Sequence, residues 1–168
     1  MPEQVRWGIP STANIAVKRF IPGASRSRNG VVAAIPSRDL GRAQAVAGTL
    51  GIPGAYGSYD ELLQDPDIDA IYNPLSNRLH AELTVKAAAA GKPILCEKPL
   101  ALSSEQVRLM VDACRTKGVL LMEAFIYRFH PEHRRVQARR RWLGREDSNL
   151  RLPDLESCGN YALTGEVV

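Results

Sequence analysis

A charged tripeptide, Glu97-Lys98-Pro99, directly follows an apolar run at residues 93–96 and is the strongest candidate for chemistry in this chain. A lysine at the end of a buried strand costs free energy unless the site needs its ammonium group. The neighbouring carboxylate and the following proline restrict where that ammonium can point. The sequence therefore predicts an active site here. The alternative is a strand-end lysine that extends to solvent, with Glu97 as its ion-pair partner.

A second candidate is the turn after the first predicted strand, where small residues precede a helix. A dinucleotide site needs small residues at such a turn, so that backbone N–H groups can approach a pyrophosphate at the helix N-terminus. The usual G-x-G-x-x-G/A pattern would place glycines where this chain has Ser11 and Ala13, with Ala16 in the third position. The turn is compatible with phosphate binding and, equally, with ordinary packing of a strand against a helix.

A third candidate, Ser37-Arg38-Asp39, follows the second predicted strand. In nucleotide-binding folds an acidic residue here accepts from the ribose 2′-hydroxyl, whereas an arginine pairs with a 2′-phosphate. Ser37 and Arg38 both suit a phosphate, and Asp39 is better placed to cap the next helix. The pattern favours NADP over NAD, although Arg38 is also compatible with an ordinary surface arginine at a helix start.

The elements that must position these residues alternate between short apolar runs and amphipathic segments, which is typical of a parallel sheet wrapped by helices. Capping boxes specify helix starts at Ser58 and Ser103, and Pro22-Gly23 is expected to end the first helix. Strands are predicted at 5–9, 31–35, 55–56, 70–73, 93–96 and 119–122, and helices at 14–20 (a short one), 39–50, 77–90 and 103–117. We predict a doubly wound α/β sheet of the Rossmann type with strand order 3-2-1-4-5-6, forming one domain over residues 1–137.

Several motifs occur together in the order found in one enzyme family. They are Ser11-Thr12-Ala13-Asn14-Ile15-Ala16, Ser37-Arg38-Asp39, Pro74-Leu75-Ser76-Asn77-Arg78-Leu79-His80, Cys96-Glu97-Lys98-Pro99-Leu100-Ala101 and Met122-Glu123-Ala124-Phe125-Ile126-Tyr127-Arg128, with shorter matches at 7–9, 55–63 and 69–72. Over roughly residues 5–137 the chain resembles the N-terminal domain of the Gfo/Idh/MocA family of NAD(P)-dependent oxidoreductases. The similarity is greatest to the branch that contains xylose and dihydrodiol dehydrogenases.

The resemblance implies a role for each matched position. The pyrophosphate would be held by Ser11, Thr12, Ala13, Asn14 and Ile15, the adenosine ribose by Ser37 and Arg38, and the nicotinamide ribose would lie by Leu75, Asn77 and His80. Glu97 and Lys98 would lie beside the nicotinamide and the substrate, and Arg128 at the passage into a substrate domain. Lys98 would be the main catalytic residue of this domain, orienting the substrate and assisting proton transfer. Without the resemblance, His80 is more simply a partly exposed polar residue near a helix start.

Composition narrows the remaining function classes. The net charge is +4, and arginines crowd residues 134–151. Nucleic-acid binding through them is a weaker idea, because the predicted fold offers no reading helix and the stretch has few aromatics. The three cysteines are widely spaced and no metal-ligand pair is present, so we expect a cytoplasmic protein without a metal site or a disulfide frame. No apolar run suits a membrane span.

The end of the chain departs from the family pattern. Family members carry a second domain that supplies much of the substrate pocket and a further catalytic residue, and residues 138–168 are too few for it. We expect an irregular, aberrant tail joined to a truncated domain. Two functions follow: the NADP-binding half of an oxidoreductase acting on a sugar, polyol or diol, with slow or no turnover on its own, or a non-catalytic NADP-binding module that associates with another chain. A homo-oligomer is compatible with either, although its usual interface domain would be missing.

Overall fold

The computed structural model describes residues 4–133, 135 and 136. Contacts within the chain divide it into two compact units, Met1–Glu123 and Ala124–Val168. The first unit contains every strand of the described chain, and the described part of the second begins with a short 3-10 helix, Ile126–Phe129. The predicted tail at 138–168 lies outside the described residues.

A parallel six-stranded sheet forms the centre of the first unit. Its strands are β1 (Val5–Gly8), β2 (Gly30–Pro36), β3 (Gly54–Tyr56), β4 (Ala70–Asn73), β5 (Ile94–Cys96) and β6 (Leu121–Glu123). They pair in the order β3-β2-β1-β4-β5-β6, which confirms the predicted doubly wound fold and strand order. The order reverses between β1 and β4, and in such sheets ligands bind in the crevice at the carboxyl ends of the strands on either side of that point.

Helices connect the strands: α1 (Ile21–Arg26), α2 (Leu40–Leu50), α3 (Tyr59–Gln64), α4 (Asn77–Ala89) and α5 (Ser104–Lys117). The caps predicted from the sequence are present. The Asp39 side chain accepts from the backbone of the third residue of α2, and Ser58 and Ser103 do the same for α3 and α5. None of the helices in the described residues has the length and apolar character needed to cross a bilayer.

The first helical segment is longer than predicted. A π-helix, Ala16–Phe20, runs directly into α1, so Pro22 does not end the helix. The Ile21 N–H reaches back to the Ala16 carbonyl, and Pro22 then lies in the first turn of α1. Phe20 and Ile21 both have helical backbone dihedrals, so the chain stays helical through the residues that precede Pro22.

The two faces of the sheet carry separate apolar cores. Because successive residues of a strand point to opposite faces, Ile71 belongs to one cluster, with Leu62 and Met110, and Tyr72 belongs to the other, with Ile9 and Ile35. All four residues of β4 are buried. The central strand is therefore rigidly packed on both faces, and the residues at its carboxyl end are held in fixed positions.

The close approach of β3 to β2 requires a glycine at position 54. A Cβ atom there would lie 2.8 Å from the Ala33 carbonyl oxygen and 2.7 Å from the Ala34 Cβ. We expect Gly54→Ala to lower the free energy of unfolding by about 1–3 kcal/mol, because the backbone must shift. The matched control is Gly48→Ala in α2, where a Cβ meets nothing within 4 Å and alanine should stabilise the helix by up to about 1 kcal/mol. Urea denaturation measures both, and equal effects would contradict the packing argument.

Candidate functional site

A cleft of about 160 Å³ lies at the carboxyl ends of β1 and β2. It brings together two turns that are distant in sequence, the one after β1 and the one after β2. Its lining residues are Pro10, Ser11, Thr12, Pro36, Ser37, Arg38, Arg42, Ala43, Val46 and Tyr59. The lining combines hydroxyl groups, guanidinium groups and apolar surface and includes no carboxylate. Such a cleft suits a ligand with an anionic group and a flat apolar part.

The turn after β1 is organised by Ser11. The Ser11 N–H donates to the Ile9 carbonyl at 2.7 Å, and the Ser11 hydroxyl accepts from the Ala13 N–H at 3.0 Å. The helical segment opens with a bond from the Val17 N–H to the Ala13 carbonyl at 3.1 Å. The first N–H groups of a helix have no partner within it and favour an anion. Ala13, Asn14 and Ile15 lie at this opening, beside the cleft rather than in its lining.

The turn after β2 is fixed through its backbone. The Ser37 N–H donates to the Tyr56 carbonyl at 2.9 Å, and the Ser37 hydroxyl accepts from the Asp39 N–H at 3.3 Å. Asp39 Oδ1 accepts from the Arg42 N–H at 3.1 Å, so this carboxylate caps α2 as the sequence predicts. Arg38 is exposed, and no salt bridge in the described part of the chain involves it. Its guanidinium is available to a ligand.

The parallel register places Glu97 beside the end of β4. Asn73 pairs with Cys96 across β4 and β5, and the Glu97 N–H donates to the Asn73 carbonyl at 3.0 Å. The Tyr72 hydroxyl donates to Glu97 Oε1 at 2.7 Å. Burial and this carboxylate raise the pKa of Tyr72 well above its ordinary range. Tyr72 therefore stays a neutral donor that holds the carboxylate in place, a role that its strand position alone did not reveal.

Aromatic packing also holds the Tyr72 side chain in place. The Tyr72 ring stacks on the Phe20 ring with centroids 3.8 Å apart and planes inclined by 7°. The Trp7 ring meets the edge of Phe20 at 5.3 Å. Because Phe20 is the last residue of the π-helix, the helix that follows the first turn also positions the carboxylate beside β5.

The Lys98 side chain is exposed, as in the alternative of a strand-end lysine that extends to solvent. Its backbone N–H donates to Glu97 Oε2 at 3.2 Å, and its peptide bond to Pro99 is cis. Within the described residues no salt bridge involves the Lys98 ammonium, so Glu97 is not its ion-pair partner. The neighbouring carboxylate is held by Tyr72 and by the backbone, and the ammonium is left for a ligand.

His80 is completely buried, and the alternative expectation of a partly exposed polar residue is wrong. One ring nitrogen, Nδ1, lies 2.9 Å from the Pro99 carbonyl oxygen, and the other, Nε2, lies 2.9 Å from the Leu75 carbonyl oxygen. Asn73 Nδ2 donates to the His80 carbonyl at 3.3 Å, and Asn73 Oδ1 accepts from the Leu75 N–H at 3.3 Å. His80 and Asn73 thus join the loop after β4 to the loop that carries Lys98.

Three candidate residues remain: Leu75, Asn77 and Arg128. Leu75 is half-buried in the loop after β4, and Asn77 is the exposed first residue of α4. Arg128 is exposed in the short 3-10 helix Ile126–Phe129 of the second unit.

Comparison with known proteins identifies the family to which the chain belongs. The model of the family described as "Oxidoreductase family, NAD-binding Rossmann fold", named GFO_IDH_MocA, matches residues 5–125. The chain belongs to this family. The match confirms the resemblance found in the sequence, and a nicotinamide dinucleotide is the cofactor class of the family.

Relatives of this family member include enzymes and solved structures. The Haloferax volcanii protein named D-xylose 1-dehydrogenase (NADP(+)) 2 is 53% identical over 74% of this chain and 38% of the relative. The trans-1,2-dihydrobenzene-1,2-diol dehydrogenase of Xenopus laevis is 42% identical over 79% of the chain and 40% of the relative. The structure of KijD10, a 3-ketoreductase from Actinomadura kijaniata in complex with TDP-benzene and NADP, matches with a TM-score of 0.73 and 38% identity over 79% of this chain and 42% of that one. This chain thus spans about two fifths of the length of these relatives.

Proposed function

We propose that this chain is the NADP-binding domain of an oxidoreductase that transfers a hydride between NADP and a sugar, polyol or diol. One observation supports the cofactor: the cleft after β1 and β2 is lined by Ser37 and Arg38 and by no carboxylate. A 2′-phosphate needs such cationic and hydroxyl donors, whereas the 2′-hydroxyl of NAD is usually recognised by an acid. The residues present fit the phosphorylated dinucleotide.

Two groups of residues would carry out this function, one that binds the cofactor and one that acts on the substrate. Ser11 and Thr12, with the helix opening at 13–15, would hold the pyrophosphate, and Ser37 and Arg38 would hold the adenosine end. When bound, the nicotinamide supplies the hydride chemistry. The relatives named as xylose and dihydrodiol dehydrogenases support a hydroxyl-bearing substrate.

At the other place, the carboxyl ends of β4 and β5, Lys98 would orient the substrate oxygen and move a proton to or from it. Glu97, fixed by the Tyr72 hydroxyl, would hold the backbone of Lys98 through its second carboxylate oxygen. His80 would act through the two loops that it joins, because both of its ring nitrogens already contact carbonyl oxygens.

Direct titration tests the cofactor assignment. We expect the purified chain to bind NADPH at least about tenfold more tightly than NADH, because charge-assisted hydrogen bonds to the 2′-phosphate are each worth about 1.5–3 kcal/mol. Nicotinamide fluorescence measures both dissociation constants. Tighter binding of NADH than of NADPH would contradict the proposal that Arg38 binds the 2′-phosphate. Binding of neither dinucleotide would contradict the proposed function.

A parallel assay of xylose and related sugars and diols with NADP⁺ tests the oxidoreductase half of the proposal. Turnover supports it. Tight NADPH binding without turnover would show that the chain alone is not catalytic, as expected both for a non-catalytic module that associates with another chain and for a cofactor half that is inactive alone.

A further inference from the structure

A tyrosine of the central strand β4 binds the carboxylate that precedes Lys98 in the chain. We propose that Tyr72 is a positioning residue, whose hydroxyl holds Glu97 and thereby prevents this carboxylate from pairing with the Lys98 ammonium. The ammonium is thus kept free for the substrate oxygen. The role of Tyr72 in the reaction rests on the proposed function, whereas its effect on the two neighbouring charges is a property of the chain alone.

Both oxygens of the Glu97 carboxylate accept hydrogen bonds from groups other than the Lys98 ammonium. Oε1 accepts from the Tyr72 hydroxyl at 2.7 Å, and Oε2 accepts from the Lys98 backbone N–H at 3.2 Å. Among the described residues no acid forms a salt bridge with Lys98. Opposite charges on adjacent residues attract each other, so the bond from the tyrosine competes with an ion pair that would otherwise be available.

The Tyr72 hydroxyl is well suited to win this competition. The side chain is buried, and its ring stacks on the Phe20 ring with centroids 3.8 Å apart, so the bond to Glu97 costs little further side-chain entropy. Burial and the carboxylate raise the pKa of Tyr72 well above its ordinary range, and the phenol therefore remains a donor. A charge-assisted hydrogen bond from a fixed donor is stronger than an exposed ion pair, which contributes little.

The rest of the loop at 97–100 is held without the help of Tyr72. The Pro99 carbonyl oxygen lies 2.9 Å from His80 Nδ1. The Leu100 N–H donates to Glu123 Oε1 at 2.8 Å. Removing the Tyr72 hydroxyl should therefore release the carboxylate while the backbone of the loop stays in place.

Chemical labelling of Lys98 in the full chain tests the inference. Limiting acetic anhydride acetylates only the uncharged amine, and peptide mass spectrometry gives the rate at Lys98 relative to the exposed Lys117. We expect Tyr72→Phe, which keeps the ring and removes the hydroxyl, to slow the labelling of Lys98 about two- to fivefold, because the released carboxylate favours the charged amine. Adding Glu97→Gln to Tyr72→Phe should restore the rate, since no carboxylate then remains to pair.

The matched control is Tyr56→Phe. It removes the same kind of bond, from a tyrosine hydroxyl to the Asp65 carboxylate, at a turn that precedes β4 instead of following it. The rate of Lys98 labelling should stay at the wild-type value in this variant. Equal slowing in Tyr56→Phe and Tyr72→Phe would show a general effect of lost stability and would overturn the inference.

The other labelling outcomes bear on Tyr72 and leave the proposed function intact. An unchanged rate at Lys98 in Tyr72→Phe overturns the inference, and so does a slower rate that Glu97→Gln does not reverse. If Tyr72→Phe does not fold, Glu97→Gln alone gives the answer. Labelling of Lys98 at the wild-type rate then supports the inference, and faster labelling overturns it, because Glu97 would already pair with the ammonium.

Kinetics and cofactor binding separate this inference from the proposed function. With a sugar or diol that the wild-type chain oxidises, kcat of Tyr72→Phe should fall by a factor similar to that for labelling. The NADPH dissociation constant should stay within about twofold. An unchanged kcat with slower labelling overturns the role of Tyr72 in the reaction. Binding of neither NADPH nor NADH by the wild-type chain overturns the proposed function, and that role with it.

Discussion

Replacing Lys98 by methionine should lower the turnover of a sugar or diol substrate with NADP⁺ by about a hundredfold to ten-thousandfold, the range over which a positioned acid or base accelerates proton transfer. The structure gives the reason. The Lys98 side chain is exposed beyond β5, and its neighbour Glu97 is already held by the Tyr72 hydroxyl at 2.7 Å. Initial rates at saturating NADP⁺ measure the effect.

NADPH binding separates a chemical role of Lys98 from a structural one. The cleft proposed to hold the 2′-phosphate lies after β1 and β2, so we expect the NADPH dissociation constant of Lys98→Met to change by less than about threefold, a difference under 1 kcal/mol. Lys117→Met, at the exposed C-terminal residue of α5, is the matched control and should keep full turnover. A Lys98→Met protein that retains more than a tenth of the wild-type rate would show that another residue moves the proton.

Most of the fold was predictable because its signals are local. The caps at Asp39, Ser58 and Ser103 depend on one side chain and the backbone that follows it, and the structure confirms each. Alternating apolar runs and helices leave few topologies with right-handed crossovers, so the strand order followed as well. The error at Pro22 has a local cause too, since a π-helix turn moved this proline into the first turn of the next helix.

Residues of the candidate site could be predicted only where they belong to a recognisable sequence motif. Ser37 and Arg38 stood out because their position after β2 is diagnostic in this fold. The sequence indicated only that Tyr72 belongs to a strand. Its hydrogen bond to Glu97 depends on the register between β4 and β5. The burial of His80 likewise depends on two loop carbonyls distant in sequence. Pairings of this kind are set by tertiary structure and leave no local pattern.

His80→Phe should be among the most destabilising single substitutions in the first unit. Phenylalanine fills the space of the imidazole but donates no hydrogen bond, so the Leu75 and Pro99 carbonyl oxygens lose the ring nitrogens that now lie 2.9 Å from each. Because the ring position is fully buried, water cannot readily replace the hydrogen bond that the ring donates to one of these two carbonyl oxygens. We expect the free energy of unfolding to fall by about 1–3 kcal/mol, the cost of leaving a buried acceptor unpaired. Urea denaturation followed by circular dichroism measures it.

The matched control makes the same substitution at an exposed histidine. His130 lies in the second unit with most of its side chain exposed, and His130→Phe should change the free energy of unfolding by no more than about 0.5 kcal/mol. His80→Gln should recover part of the loss, because its amide can donate to one of the two carbonyl oxygens. A His80→Phe protein as stable as the wild type would show that the loops after β4 and β5 are held together without this ring. The placement of Lys98 would then depend on the other contacts of its loop, which include the bond from the Leu100 N–H to Glu123 Oε1 at 2.8 Å.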